Sequence, residues 1–265
     1  MGVIARRLAL GCSVFVVIRQ SLKRRAWSTR DVETVRMGRQ HAQVVPLNGG
    51  SLAAVVTSHA STALLSDELV ERCVDSARSR GFVELRTGAL GLLEQGVYLR
   101  AGFETRSELR VLAADVGQLR LPANGRWEYR ECGSDMHPAL AEADLSAFGE
   151  DAGFGLLMLR EVLSATPQTA VIGAFDRNGG LSGYAVFGKS RGIGYVQRLA
   201  VIPAARRRGA GSGLLGAGVA WMRGNATKRV LVNTELTNTP ALNLYRDTGF
   251  EDQPTVLSTL TSRLG

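Results

Sequence analysis

The stretch Arg206-Arg207-Arg208-Gly209-Ala210-Gly211-Ser212 decides the fold, together with the segments on either side of it. Residues 194–202 before it are apolar and β-prone, and the proline that follows ends this strand because it donates no ladder hydrogen bond. After the stretch, apolar residues repeat at the spacing of one helical face: Leu215, Val219 and Met222. The sequence therefore predicts a strand, a basic glycine-rich loop and the start of a helix in direct succession.

This succession suits a phosphate group. The first turn of a helix has unpaired N–H groups and a partial positive charge, so it binds anions. The glycines at 209, 211 and 213 remove Cβ atoms where an anion approaches the backbone, and the arginines add forked donors. The alternative is a glycine-softened turn beside a solvated basic run. Two common nucleotide loops do not fit, because no Lys-Ser/Thr pair follows the last glycine and the spacing differs from G-x-G-x-x-G.

Two motifs resemble those of the GNAT acetyltransferase superfamily. The spacing Arg206-x-x-Gly209-x-Gly211 is similar to its Q/R-x-x-G-x-G/A signature, which holds the pyrophosphate of acetyl-CoA. The preceding residues 199–203 resemble the splayed fourth strand, whose backbone pairs with the pantetheine arm. Residues 238–250 are similar to the second conserved block of the family. The resemblance covers about residues 125–260, with both motifs in the expected order.

The resemblance implies an N-acetyltransferase that moves an acetyl group from acetyl-CoA, its co-substrate, to a primary amine in a ternary complex. It assigns cofactor binding to Leu199, Ala200, Val201, Arg206, Arg207, Arg208, Gly209, Ala210, Gly211, Ser212 and Asn238. It also implies that Tyr245 protonates the leaving thiolate, since a phenol of pKa about 10 can give a proton to a transient thiolate. The alternatives are a helix N-cap for Asn238 and a packing aromatic for Tyr245.

The general base stays open. Many relatives carry a glutamate on the fourth strand, but Gln197 and Arg198 occupy its middle here. The candidate carboxylates are Glu235, Glu128 and Glu131. Holding the amine and thioester together also accelerates transfer without any base. The missing carboxylate supports a non-catalytic acyl-CoA-binding or regulatory protein as the alternative, while the retained tyrosine counts against it. The acceptor, a small-molecule or peptide amine, cannot be read from the sequence.

An internal repeat indicates a second copy of the fold. Residues 97–103 and 244–250 match at Tyr, Gly and Phe, 147 residues apart, the difference between positions 245 and 98. The same offset carries the basic loop onto residues 59–64, which hold neither arginine nor glycine, and carries Asn238 onto Gly91. The first copy therefore keeps the strand–helix–strand–helix order but lacks the phosphate loop. Chance similarity of three residues is the alternative.

We therefore expect an α/β (α+β) fold of two tandem GNAT-like domains, each a mixed central sheet flanked by helices, similar in architecture to mycothiol synthase. A degenerate domain spans residues 1–115, a linker 116–127 and an acetyl-CoA-binding domain 128–265. The periodicity predicts strands at residues 13–18, 43–47, 51–57, 82–86, 170–175, 181–188, 230–234 and 255–264, the last closing the sheet. It predicts helices from the N-cap Ser66 to Gly81 and over residues 138–148, 155–163 and 238–245.

Length and composition agree with this organisation. A chain of 265 residues with 45% hydrophobic content suits two modest domains. An anionic cofactor explains the net charge of +8, because no nucleic-acid motif accompanies the arginines.

The apolar run at residues 8–18 is too short to span a bilayer and lacks a signal-peptide cleavage site. Neither cysteines (Cys12, Cys73, Cys132) nor histidines show metal-binding spacing. We expect a cytoplasmic protein without metal, membrane or nucleic-acid partners.

Overall fold

The computed structural model describes residues 32–48, 53–57, 64–120, 126–150 and 152–265. The strand expected at residues 13–18 and the loop at residues 59–63 lie outside this part. The strands are β1 (Glu33–Met37), β2 (Gln40–Pro46), β3 (Ala53–Thr57), β4 (Glu84–Thr87), β5 (Glu104–Asp115), β6 (Glu128–Glu131), β7 (Gln168–Phe175), β8 (Leu181–Ser190), β9 (Ile193–Val201), β10 (Arg229–Glu235) and β11 (Glu251–Arg263). The α-helices are α1 (Asp67–Ser79), α2 (Leu92–Arg100), α3 (His137–Phe148), α4 (Leu156–Ser164), α5 (Ala210–Gly224) and α6 (Thr239–Asp247).

These eleven strands form one mixed sheet in the order β1-β2-β3-β4-β11-β5-β10-β9-β8-β7-β6. Two neighbouring pairs are parallel, β3 with β4 and β9 with β10, and a helix, α1 or α5, connects the strands of each pair. The other described neighbours are antiparallel. Each half therefore contains the same succession of strand, crossover helix, strand, helix and strand.

The two halves exchange their last strands. β5 ends the first half but pairs with β10 of the second, with Ala113 opposite Leu231. β11 ends the second half and pairs with β4 of the first, with Thr261 opposite Arg86. The prediction that residues 255–264 close the sheet is wrong, because β11 fills the place beside β4 and lies in the middle. The boundary at residues 116–127 stays a prediction.

Local features follow the sequence closely. Helix α1 begins at Ser66, whose hydroxyl accepts a hydrogen bond from the N–H of Leu69 at 3.3 Å, as predicted for an N-cap. β7 and β8, at the positions of two predicted strands, form a hairpin, and the carboxylate of Asp176 accepts hydrogen bonds from the turn N–H groups of Asn178 and Gly180. The turn chemistry therefore fixes the register of this hairpin.

Four groups of buried side chains hold the layers together. One joins α5 and α6 to β7–β10, and another joins α1 and α2 to β2–β4 and β11. A third surrounds α3 and α4 and draws on both halves, because Val45 and Val55 of the first half pack with Leu140 and Val186 of the second. Helices α3 and α4 therefore lie between strands of the two halves, beside β9.

Candidate functional site

β9 and β10 separate halfway along β9. Their parallel pairing covers Ile193 to Val196 of β9 and ends at Val232 of β10. Beyond that point β9 continues to pair with β8, whereas β10 continues to pair with β5. A register shift at the same place leaves Gln197 as a bulge. The edge of β9 that faces β10 is therefore open to a ligand along residues 197–201.

The open part of β9, the first turn of α5 and helix α6 meet at Gly211. A Cβ atom at Gly211 would lie 3.4 Å from Leu244 Cδ2 and 3.8 Å from side-chain atoms of Leu199 and Val201. The structure thus brings the predicted strand, basic loop and last helix together in one place. A side chain larger than alanine at Gly211 would enter this space.

The start of helix α5 has no hydrogen bond from a capping side chain. Gly209 is the N-cap residue, with φ of 85°, and a glycine adopts this left-handed conformation without strain. No side chain caps the helix, and its first turn contains no acidic residue. The N–H groups of that turn are therefore available to an anion, and the helix dipole favours negative charge there.

The three arginines of the loop differ in their contacts. The guanidinium of Arg206 donates to the carbonyl oxygens of Val201, at 3.2 Å, and Ala147, so it fastens the end of β9 to α3. Arg207 and Arg208 are exposed, and neither guanidinium makes an ion pair or hydrogen bond within the described residues. Arg207 and Arg208, rather than Arg206, therefore supply charge that a ligand can use.

Two aromatic residues around β6 support the loop, and the sequence did not reveal them. The indole N–H of Trp127 donates to the carbonyl oxygen of Arg208 at 3.0 Å. The hydroxyl of Tyr129 donates to the carbonyl oxygen of Gly209 at 3.5 Å. Partial burial raises the pKa of Tyr129, so its hydroxyl keeps the proton it donates. A Cβ atom at Gly213 would lie 1.9 Å from the Tyr129 hydroxyl oxygen. The missing side chain at Gly213 therefore makes room for Tyr129 rather than for an anion.

The second motif caps and packs helix α6. Asn238 is its N-cap: the side-chain oxygen accepts the N–H of Ala241 at 3.4 Å, and the side-chain nitrogen donates to Thr234 at 3.0 Å. Tyr245 is buried, with its ring centroid 5.6 Å from that of Phe250. The capping and packing interpretations of these two residues are both realised. Their roles toward a ligand stay predictions.

A buried ion pair occupies the middle of β9. Arg198 is 3% exposed and binds Asp144 of α3 with two hydrogen bonds of 2.6 and 2.8 Å. The guanidinium carbon lies 3.9 Å from the ring centroid of Phe148 and 3.7 Å from that of Phe154. Asp144 also accepts the hydroxyl of Tyr184 at 2.6 Å. These contacts fix both charged groups as structural elements.

Sequence reasoning missed Asp144, although one signal was present. It is the acidic residue at a buried position of α3, between Ala143 and Leu145. A carboxylate on the apolar face of a helix predicts a buried cationic partner. The identity of that partner was not readable, because Arg198 lies 54 residues away.

The three candidate base carboxylates fall in different places. Glu235 is half-buried at the end of β10, on the part of the strand that has separated from β9. Glu128 and Glu131 are exposed on β6, at the edge of the sheet and three strands from β9, which is about 14 Å. Of the three, Glu235 alone belongs to a strand that borders the opening.

Other site types find little support. The described residues contain no group of three or more His, Cys, Asp or Glu side chains able to hold a metal ion. In the same part of the chain, the helices are too short or too polar for one of them to cross a bilayer. Cys73 and Cys132 are buried free thiols, and burial raises the pKa of Cys73 to about 12. Cys73 is therefore a core residue.

Comparisons with known proteins agree with the geometry. Residues 134–250 match the sequence model of the Acetyltransferase (GNAT) family. A search of curated proteins finds no match. Among solved structures, the chain is similar to a tandem GNAT protein from the clavulanic acid biosynthesis pathway, with 14% identity, a TM-score of 0.59, and coverage of 85% of this chain and 79% of that one.

Two further solved structures show the same fold. One is a GCN5-related N-acetyltransferase from Sphaerobacter thermophilus, with 18% identity and a TM-score of 0.54; the match covers 84% of this chain and 76% of that one. The other is a GCN5-related N-acetyltransferase from Kribbella flavida, with 15% identity and a TM-score of 0.51; the match covers 88% of this chain and 90% of that one. The family match covers 117 of the 265 residues, and at these identities the solved structures show that the chain shares the GNAT fold. The predicted tandem fold is confirmed, with both sheets fused into one.

Proposed function

We propose that the protein is an N-acetyltransferase that moves an acetyl group from acetyl-CoA to a primary amine in a ternary complex. The observation that best supports the proposal is the meeting of three segments at Gly211. There an open strand edge, a helix start without a cap and the last helix surround one space. An extended, partly apolar molecule that carries phosphates has the chemistry to fill it.

The proposed donor site uses the backbone and the loop. The pantetheine arm of acetyl-CoA, which carries amide groups, pairs with the open edge of Leu199, Ala200 and Val201. The pyrophosphate binds the N–H groups of residues 209–212, with charge from Arg207 and Arg208. Arg206 acts indirectly, because its guanidinium holds the end of β9 in place.

The proposed transfer is a direct attack. The amine nitrogen forms a bond to the thioester carbonyl carbon, the carbon–sulfur bond breaks, and the sulfur leaves as a thiolate. Tyr245 is the proposed proton donor to that thiolate. Glu235 is the proposed acceptor of the proton lost by the ammonium group, directly or through water, because it borders the opening. Positioning the two reactants supplies part of the acceleration without either group.

A non-catalytic acyl-CoA-binding or regulatory protein is the second candidate. The observation that favours it is the Arg198–Asp144 pair, because the middle of β9 carries this structural pair instead of a carboxylate base. Both candidates share the donor site. They differ in whether any amine releases the thiol.

Thermal unfolding in the presence of acetyl-CoA, free CoA and longer acyl-CoAs tests the shared site, with Gly211→Trp as the variant that fills it. A ligand at about 100 times its Kd stabilises the native state by about 2.7 kcal/mol. We expect a clear rise in Tm for the native protein and none for Gly211→Trp. The absence of a shift with every acyl-CoA would overturn both candidates.

Thiol release with a panel of amines then separates the two candidates. We expect release with at least one amine, and Tyr245→Phe should lower kcat while acetyl-CoA still raises Tm. Binding of acetyl-CoA without thiol release from any small amine or peptide favours the non-catalytic protein. Retention of full kcat in Tyr245→Phe would remove the proposed role of this tyrosine.

A further inference from the structure

The loop between α3 and α4 lies beside the open part of β9. The structure describes its residues 149–155 except position 151. Arg198, in the open part of β9, donates to the carbonyl oxygen of Ala152 at 2.9 Å. Its partner Asp144 accepts the N–H of Phe154 at 2.6 Å, and the ring of Phe154 lies against the guanidinium group. The loop is therefore fixed to β9 at the place where this strand has left β10.

The first copy of the fold holds the same loop from the other side. The side-chain amide of Asn48, just after β2, donates to the carbonyl oxygens of Glu150 and Gly153, the latter at 3.3 Å. The N–H of Gly155 donates to the carbonyl oxygen of Leu47 at 3.2 Å. Asn48 is 5% exposed, so water competes little for these hydrogen bonds. A buried side chain of the first copy therefore holds a loop of the second copy.

The backbone of this loop is tightly packed around Gly153. The N–H of Gly153 donates to the carbonyl oxygen of Gly149 at 2.8 Å, and Gly149 directly follows α3. A Cβ atom at Gly153 would lie 2.5 Å from that oxygen and 2.8 Å from Leu145 Cα, so no larger residue fits. Because Gly153 packs directly on the end of α3, the side chain that holds Gly153 sets the position of the loop.

The loop lies on the face of the sheet that the proposed donor site leaves free. α5 and α6 cover the first face, since Val230 and Val232 of β10 pack with both helices. Leu231 belongs to a different buried group, so it and Glu235 point to the second face. Ala200 of β9 packs with α3 and α4 on this second face. With the donor on the first face, the approach left to an amine runs between the loop and Glu235.

We propose that Asn48 is a positioning residue for the amine acceptor. Through this side chain, the first copy of the fold sets the wall against which the second copy receives the amine. Without Asn48 the loop has to be ordered when the amine binds, and this cost weakens amine binding. The inference rests on the proposed function, because it takes acyl transfer to occur at the opening of β9. It gives the first copy a role in binding the amine, while the donor site stays in the second copy.

Steady-state kinetics of thiol release with Asn48→Ala tests the inference, using the amine that the native protein acetylates fastest. We expect the KM for the amine to rise about tenfold, while the Kd of acetyl-CoA, measured by isothermal titration, stays the same. Asn48→Ser keeps a shorter donor and should raise this KM less. The serine variant also serves as the test if Asn48→Ala does not fold.

Ser66→Ala is the matched control. It also removes a side-chain hydrogen bond from the first copy, but Ser66 caps α1, which packs on the opposite face of the sheet from the loop. We expect this variant to change neither the KM for the amine nor the Kd of acetyl-CoA.

Three results separate the inference from the proposed function. An unchanged amine KM in the Asn48 variants would overturn the inference and leave the proposed function standing. Equal rises in the amine KM and the acetyl-CoA Kd would do the same, as would an equal rise of the amine KM in Ser66→Ala, because a general loss of stability then explains the effect. Absence of thiol release with every amine would overturn the proposed enzyme and the inference together.

Discussion

The two copies of the fold begin their crossover helices in opposite ways. α1 is capped by Ser66 and carries Asp67 and Glu68 in its first turn. α5 has the glycine N-cap Gly209, no side-chain cap and no acidic residue in its first turn, and three arginines precede it. A side chain caps one N–H group of the first helix and two carboxylates lie at its positive end, whereas the second helix has neither feature.

The difference corresponds to one turn of helix. α2 and α6 begin 147 residues apart, at positions 92 and 239, and β5 and β11 do so too, at positions 104 and 251. α1 and α5 begin 143 residues apart, at positions 67 and 210. α5 therefore starts four residues early relative to the repeat, which is about one turn. The start of α5 is thus shifted by about one turn, although α5, with 15 residues, is only two residues longer than α1, with 13.

The strands before these helices, β3 and β9, differ in how much of their length pairs with the next parallel strand. β3 pairs with β4 over residues 53–56, four of its five residues. β9 pairs with β10 over residues 193–196, four of its nine. The parallel pair of the first copy therefore stays closed along the described strand, and that of the second opens. The comparison teaches that two copies with the same order of elements differ in the pairing of one strand and in the start of the helix that follows it.

Separating the two copies of the fold has the largest expected effect on the stability of the protein. A protein truncated to residues 126–265 lacks β5, so β10 loses its antiparallel partner and β11 loses both neighbours. We expect aggregation and no cooperative thermal transition by circular dichroism, because one edge of β10 and both edges of β11 are uncovered. Co-expression with residues 1–120 should restore a soluble complex. A monomeric fragment that unfolds cooperatively at the native Tm would show that β11 can take the place of β5.

Removing the buried arginine of the second copy has the next largest effect. Arg198 stands directly after the bulge where β9 opens, and Arg198→Ala leaves the Asp144 carboxylate buried without its cation. We expect a loss of about 3–5 kcal/mol in the free energy of unfolding, measured with urea. The double variant Asp144→Leu with Arg198→Met, which removes both charges, should lose less. An equal loss in both would show that packing, not the unpaired charge, sets the cost.

Local signals made most elements predictable from the sequence. The N-cap Ser66, the Asn-Gly turn between β7 and β8 and the apolar spacing of α5 each depend on a few neighbouring residues. The offset of 147 residues likewise located α2, the counterpart of α6 in the first copy. These features are set by backbone preferences and helical or strand periodicity, which a short window of sequence contains.

The strand exchange and the ion pair were not predictable for a different reason. β5 and β11 follow equivalent helices, and their sequences do not specify which of β4 and β10 each one joins. The partner of Arg198 lies 54 residues away on a helix whose own pattern shows only one buried acid. Trp127 and Tyr129 reach the loop across about 80 residues. Contacts between distant segments depend on the completed sheet.

A negative charge in the first turn of α5 would make this helix resemble α1 and so test the difference between the two copies. Ser212→Glu places a carboxylate there, as Asp67 and Glu68 do in the first copy. The helix dipole should keep the Tm of the ligand-free protein unchanged or slightly raised, while repulsion of the pyrophosphate weakens CoA at least about tenfold. Ser212→Gln is the neutral control. Unchanged CoA affinity in Ser212→Glu would remove this turn from the proposed site.

The smallest effect comes from the reciprocal change in the first copy. Ser66→Ala removes the hydroxyl that accepts the N–H of Leu69, so α1 loses its cap and about 1 kcal/mol of stability, measured as a shift of the urea midpoint. CoA affinity should stay the same, because the proposed ligand site lies on β9, α5 and α6, all in the second copy. Ser66→Asp is the rescue variant, since a carboxylate accepts the same hydrogen bond and favours the same helix end. A CoA affinity that falls with Ser66→Ala and returns with Ser66→Asp would mean that the first copy takes part in binding, and the separation of roles between the copies would then be wrong.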